Sequence, residues 1–135
     1  MPRLLLDTTV LIDASRGFEP VTERLHRLIA DGHEIGVSPI TVAEFWAGVE
    51  PARRSRWEPF IRALQFWPIT FEVALRAGEY RRDWLRRGRT LDVTDTLVAA
   101  VAYTQNAMLL TDNLKDFPMQ DIVVQPVRGP AWPYP

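Results

Sequence analysis

"LLLDTTVLID", residues 4–13, is an apolar run interrupted at Asp7 by one acid and two hydroxyls, Thr8 and Thr9, before it turns apolar again and ends on Asp13. Leu4 to Leu6 has the composition of a short strand buried on both faces. Thr8 to Ala14 then opens a helix or turn that stops at Gly17. Asp7 has two readings at this junction. It is a cap or Asx turn for the segment that starts at Thr8, or it is a working carboxylate at the carboxyl end of a buried strand, where open α/β sheets gather their chemistry.

The same strand-then-helix alternation continues outward from that stretch. Glu19 to Ala30 is predicted helical, with Val21, Leu25, Leu28 and Ile29 on one side and "DGHE" as its stop. Glu34 to Val37 is a strand candidate, followed by helices over about Thr41 to Val49 and Pro51 to Leu64. "FWPI" holds a short strand, and Phe71 to Arg87 a helix with the stripe Val73, Ala77, Tyr80 and Trp84 and with Gly88 at its C-terminal stop. "TDTLVAAVAYTQN", Thr94 to Asn106, is apolar on nearly every side and predicts a helix buried between layers. "MLLT" and "DIVVQ" are the last two strands. This order predicts an α/β fold with a mostly parallel sheet flanked by helices, and it sets Asp7 and Asp112 on one edge.

Composition narrows the class. The 135 residues suit one domain, and 47% hydrophobic with 24% charged residues is the balance of a chain that folds. The absence of cysteine removes disulfides and thiolate metal sites. "MPRLLLDTT" is too short in apolar residues for a signal peptide, and no run reaches the roughly 18 apolar residues of a membrane span. We therefore expect a soluble protein of the cytoplasm with no membrane partner. A Pro-rich C-terminal tail, residues 126–135, is expected beyond a domain spanning 1–125, because its prolines preclude helix.

The net charge of −1 conceals an asymmetry. Residues 53–89 hold ten arginines against four acids, so the remainder of the chain carries −7. Arginine is suited to bidentate phosphate contact. A solvated helix face explains such a run equally well. Beside an acidic remainder, however, it is also what a protein needs to hold a polyanion while carboxylates act on it.

Each acid has a structural explanation when taken alone. Thr41 and Glu44 in "TVAE" fit a capping box; Asp95 suits the positive end of the helix it begins; Asp112 and Asp116 in "TDNLKDF" suit a turn. A parallel sheet would nevertheless bring Asp7, Asp95 and the 112–116 segment together. Two like charges about 4 Å apart cost on the order of 4 kcal/mol at an effective dielectric near 20. A cluster of them calls for a cation, and oxygen donors without cysteine or a histidine pair favour Mg²⁺ or Mn²⁺. Such a site can activate water and stabilise charge on a phosphate attacked in line.

"LLLDTTVLID", "SPITVAEFWAGV", "LDVTDTLVAAVA" and "LLTDNLKDFP" together resemble, in order, the four blocks of the PIN-domain family and of its VapC-type toxins. The similarity spans about residues 3–125. It implies a parallel sheet flanked by helices, a Mg²⁺- or Mn²⁺-dependent ribonuclease acting on tRNA or another structured RNA, a homodimer, and a small VapB-type antitoxin as partner. Matched by position, Asp7, Glu44 and Asp95 are the family's first three acids, with Asp7 and Asp95 as metal ligands. Asn113 stands where many members carry an aspartate, so Asp116 is ranked above Asp112 as the fourth acid, also as a ligand. Asp112, Asn113, Thr9 and Thr111 are supporting candidates. Arg81, Arg82, Arg86, Arg87 and Arg89 are candidates for RNA contact. A PIN-like module that binds RNA or protein without cutting is the alternative. A phospho-acceptor domain, which needs an acceptor aspartate after a central strand and a lysine after a later one, fits less well, because Lys115 is the only lysine and no convincing acceptor precedes it.

Overall fold

Five strands, β1 (Arg3–Leu6), β2 (Glu34–Val37), β3 (Gln65–Phe66), β4 (Ala107–Leu110) and β5 (Val124–Gln125), pair in the order β3-β2-β1-β4-β5, every pair parallel. They belong to a computed structural model that describes residues 3–128. Among the described residues, six α-helices cover the sheet: α1 (Thr8–Ser15), α2 (Glu19–Ala30), α3 (Pro39–Ala47), α4 (Arg54–Ala63), α5 (Phe71–Leu85) and α6 (Val93–Thr104). The parallel α/β architecture expected from the sequence is the one observed.

The period of two along β1 divides the core. Leu5 is buried with Val73, Ala77 and Tyr80 of α5, Val98 to Ala102 of α6, and Leu109. Leu4 and Leu6 point the other way, into Val10, Leu11, Val21, Leu25, Val37 and Phe45. Both faces of the central strands are thus dry, which is why "LLL" shows no alternation. The alanines of α6 at 99, 100 and 102 are fully buried, so this helix approaches the sheet and α5 closely.

Several boundaries differ from expectation: the helix expected over Pro51 to Leu64 is a 3₁₀ turn, Pro51–Arg53, followed by α4, and the strand expected in "FWPI" is Gln65–Phe66. Helix α3 begins at Pro39, with Ser38 as its cap accepting from Thr41 N at 3.2 Å. Thr41 is therefore inside the helix and fully buried, and the capping-box reading of Glu44 is corrected: the serine three residues earlier does that work. Helix α5 ends at Leu85, and Gly88 (φ +83°) closes it while the Arg89 N–H donates to the Trp84 carbonyl at 2.9 Å.

At the carboxyl edge of the sheet, Val127 is fully buried among the residues packed on Leu4 and Leu6, and its carbonyl accepts a hydrogen bond from Arg24. Residues 129–135 of the expected Pro-rich tail lie outside the described residues. Among the described residues, no helix is long and apolar enough to cross a membrane.

Candidate active site

Asp7 is the first residue after β1, and its N–H donates to the Leu110 carbonyl at 3.0 Å, extending the β1–β4 ladder by one step. Its carbonyl accepts from Val10 N at 3.1 Å, so the backbone caps α1 while the carboxylate does not. That carboxylate is nearly buried and receives the Thr111 hydroxyl on Oδ2 at 2.8 Å. Burial pushes its pKa up; the Thr111 hydrogen bond and the Thr8 N–H pull against that shift.

Thr111 follows β4 as Asp7 follows β1, because the two strands are in register from Arg3 and Ala107 to Leu6 and Leu110. Its hydroxyl oxygen also accepts from Asn113 N at 3.1 Å, which locks the turn after the strand. Thr9 sits 3.5 Å from it and accepts from Asp112 N at 3.3 Å. These two threonines stitch the first turn of α1 to the end of β4.

The other acids arrive from three more elements. Glu44, exposed on α3, accepts the Thr8 hydroxyl at 2.7 Å. Asp95 stands in the first turn of α6, where the helix dipole favours its negative charge. That help is outweighed: burial first, then the charges of Asp116, Asp7, Asp92 and Glu44, raise its pKa to about 6. Asp116 ends a short 3₁₀ turn, Leu114–Asp116, and its charge also acts on Asp7. The charges of Glu44 and Asp116 thus reach both Asp7 and Asp95, and among the described residues no ion pair involves any of the four.

Asp112 goes elsewhere. Its Oδ1 accepts the N–H groups of Val127 and Arg128, both at 3.2 Å, and its Oδ2 lies 3.4 Å from Arg128 Nε. Asn113 is exposed, heading the 3₁₀ turn and accepting Asp116 N on its carbonyl at 3.0 Å. Of the arginine candidates, Arg87 and Arg89 lie over the Trp84 ring at 4.6 and 5.8 Å, and Arg89 also donates to the Lys115 carbonyl beside Asp116. Arg82 and Arg86 are exposed and Arg81 half-buried at the end of α5, whose chain leads through residues 86–92 into α6 and Asp95.

Three contributors lie beyond the candidates that the sequence offers. Thr8 reads only as part of a turn, although its place beside Asp7 puts it at the same edge. Asp92 is the N-cap of α6 and adds to the charge on Asp95; its D-x-x-D spacing was a usable signal. Arg128 had no local signal, since its partner Asp13 is 115 positions away.

The donors suit a hard divalent cation in type and charge. All four are carboxylates, two are braced by threonine hydroxyls, and their mutual repulsion would be relieved by positive charge. Among the described residues, no group of three acidic or histidine side chains has the spacing of a metal site.

Comparison with known proteins follows the same lines. Residues 4–118 match the family described as PIN domain. Ribonuclease VapC19 of Mycobacterium tuberculosis is 35% identical over 115 residues, covering 85% of this chain and 92% of the relative. Ribonuclease VapC10 of the same organism is 30% identical over 128 residues, covering 95% and 96%. The crystal structure of VapBC2 from Rickettsia felis, bound to a DNA fragment from its promoter, superposes with a TM-score of 0.81 at 23% identity over 91% of this chain and 97% of that one, a likeness of fold.

Proposed function

The chain belongs to the PIN-domain family, and from that premise we propose that it is a VapC-type ribonuclease, the RNA-cleaving toxin of a VapBC-type toxin–antitoxin pair. The observation that supports this reading is that the charges of Glu44 and Asp116, from two other elements, act on Asp7 at the end of β1 and on Asp95 at the start of α6, at the carboxyl edge of a parallel sheet. Asp7, Asp95 and Asp116 would hold Mg²⁺ or Mn²⁺. The chemistry such a cation supplies is Lewis acidity toward water and phosphate oxygen.

The chain's own groups do the rest. Thr111 fixes the rotamer of Asp7 and favours its ionised form. Glu44, hydrogen-bonded by Thr8 and exposed, would complete the acidic pocket and orient the attacking water or take its proton. The arginines from Arg81 to Arg89 adjoin the same pole through the loop into α6, and they would bind the RNA backbone on either side of the cut. RNA threaded there is most readily single-stranded or a loop, as in tRNA or another structured RNA.

The antitoxin is a small VapB-type protein, and the apolar hollow of about 600 Å³ lined by Val42, Trp46, Ile61, Leu64 and Phe66 offers a seat for one of its helices. The toxin acts in the cytoplasm as a homodimer. The deciding experiment is cleavage of RNA by the purified protein with Mg²⁺ or Mn²⁺ and with chelator. We expect activity that disappears with chelator and falls at least about a hundredfold in Asp7→Asn and Asp95→Asn. Equal cleavage by those variants would overturn the reading, and RNA bound but left intact by the wild type would favour the non-cleaving alternative.

A further inference from the structure

Asp13, which ends the "LLLDTTVLID" stretch, is buried although it has no part among the four acids. It lies in the last turns of α1 and is met by the Arg128 guanidinium in a two-pronged contact, Nε to Oδ2 at 2.9 Å and the terminal nitrogen to Oδ1 at 2.6 Å. The same Nε is 3.4 Å from Asp112 Oδ2, while Asp112 Oδ1 accepts two backbone N–H groups of the Val127–Arg128 segment. Beneath the guanidinium is the Phe18 ring, 4.3 Å away. One arginine thus neutralises two carboxylates on different elements, one on α1 and one in the loop after β4.

Those two elements carry the pocket. Helix α1 starts at the residue after Asp7, and the loop from Thr111 to Asp116 supplies both the Asp7 hydrogen bond and the fourth acid. We propose that Arg128 is a positioning residue for the nuclease site: its bridge from Asp13 to Asp112 holds the 111–116 loop against α1 and so keeps Asp116 beside Asp7 and Asp95. This rests on the nuclease reading above. Anchoring of the C-terminal segment does not by itself require the bridge, because Val127 is buried and its carbonyl is held by Arg24. Without Arg128, two further negative charges at Asp13 and Asp112 would lie uncompensated between α1 and the loop, next to a site already crowded with them. The planar fork matters as well as the charge, since one ammonium cannot reproduce both prongs on Asp13 and the approach to Asp112.

The test compares wild type, Arg128→Ala, Arg128→Lys and the distant surface control Arg27→Ala in two measurements. One is steady-state RNA cleavage in Mg²⁺; the other is amide hydrogen exchange of residues 111–116 without RNA. We expect Arg128→Ala to lower kcat about tenfold or more with KM within about twofold, because a misplaced acid weakens the reaction more than RNA contact. Exchange at Asp112, Asn113 and Asp116 should accelerate in the same variant. Arg128→Lys should recover part of both losses, and Arg27→Ala should match wild type. An Arg128→Ala protein with wild-type kcat, or with unchanged exchange at 111–116, would overturn the proposal. If the wild type cut no RNA, the nuclease reading would fail on its own, and the exchange comparison would still decide whether the bridge holds the loop.

Discussion

Thr111 illustrates what a single hydroxyl does in this site. It is fully buried, donates to Asp7 and accepts from Asn113, so the shape-conserving Thr111→Val removes a donor from a carboxylate that has little access to water. Leaving a buried acceptor unmet costs about 1–3 kcal/mol, and we expect urea denaturation to show a loss of that size. Asp95 makes a pH-dependent prediction of definite sign. Its folded pKa of about 6 lies above the ordinary carboxylate value near 3.9, so the folded state holds this proton more tightly than the unfolded chain does. The favourable contribution is complete below about pH 4 and is lost as pH rises through about 6. In chelator, wild type should therefore lose thermal stability relative to Asp95→Asn across that window, and a parallel pair of curves would contradict the burial and neighbouring charges that raise this pKa.

Gly36 shows at the level of elements why strand β2 reads as it does. A Cβ there would fall 2.4–2.6 Å from the Trp67 ring atoms, so the indole lies directly on the backbone of β2. Trp67 in turn donates its indole N–H to the Gln65 side-chain Oε1 at 3.1 Å and is covered by the Arg3 guanidinium at 4.5 Å, leaving it little room to retreat. Gly36→Ala should destabilise by about 1–3 kcal/mol, as overpacking does, with a drop in the urea midpoint and an unchanged slope. The element boundaries show where local reading succeeds and where it slips. Helix α2 and strand β2 follow amphipathic or compact apolar patterns bounded by clear stops, and their expected ends agree with the observed ones. At α3 the Thr41-x-x-Glu44 pattern suggests a start two residues too late, because Pro39 occupies the first helical position, where its missing N–H is one the helix would leave unpaired anyway.

At the scale of the whole molecule, the four-acid pocket links folding to metal concentration. A cation that binds only the folded chain stabilises it by about 2.7 kcal/mol at a hundred times its dissociation constant. We expect the melting temperature to climb with added Mg²⁺ or Mn²⁺ and the climb to vanish in an Asp7→Asn, Asp95→Asn double variant; a rise that persists there would place the binding elsewhere. Much of this architecture was legible in the chain itself. Short apolar runs separated by helical periods determine a parallel α/β sheet, since the central runs must be buried on both faces and each connection is long enough to cross over. The same pattern puts Asp7 and Thr111 side by side, because parallel strands in register end together. Only the tertiary structure decided which acids share one field and which do not. Asp112 and Asp116 are four residues apart and alike in local sequence, yet one turns to Arg128 and the other acts on Asp7 and Asp95. That choice depends on a partner 16 positions away in the chain and on Asp13, 115 positions from Arg128, and no local propensity encodes contacts between groups so distant in sequence.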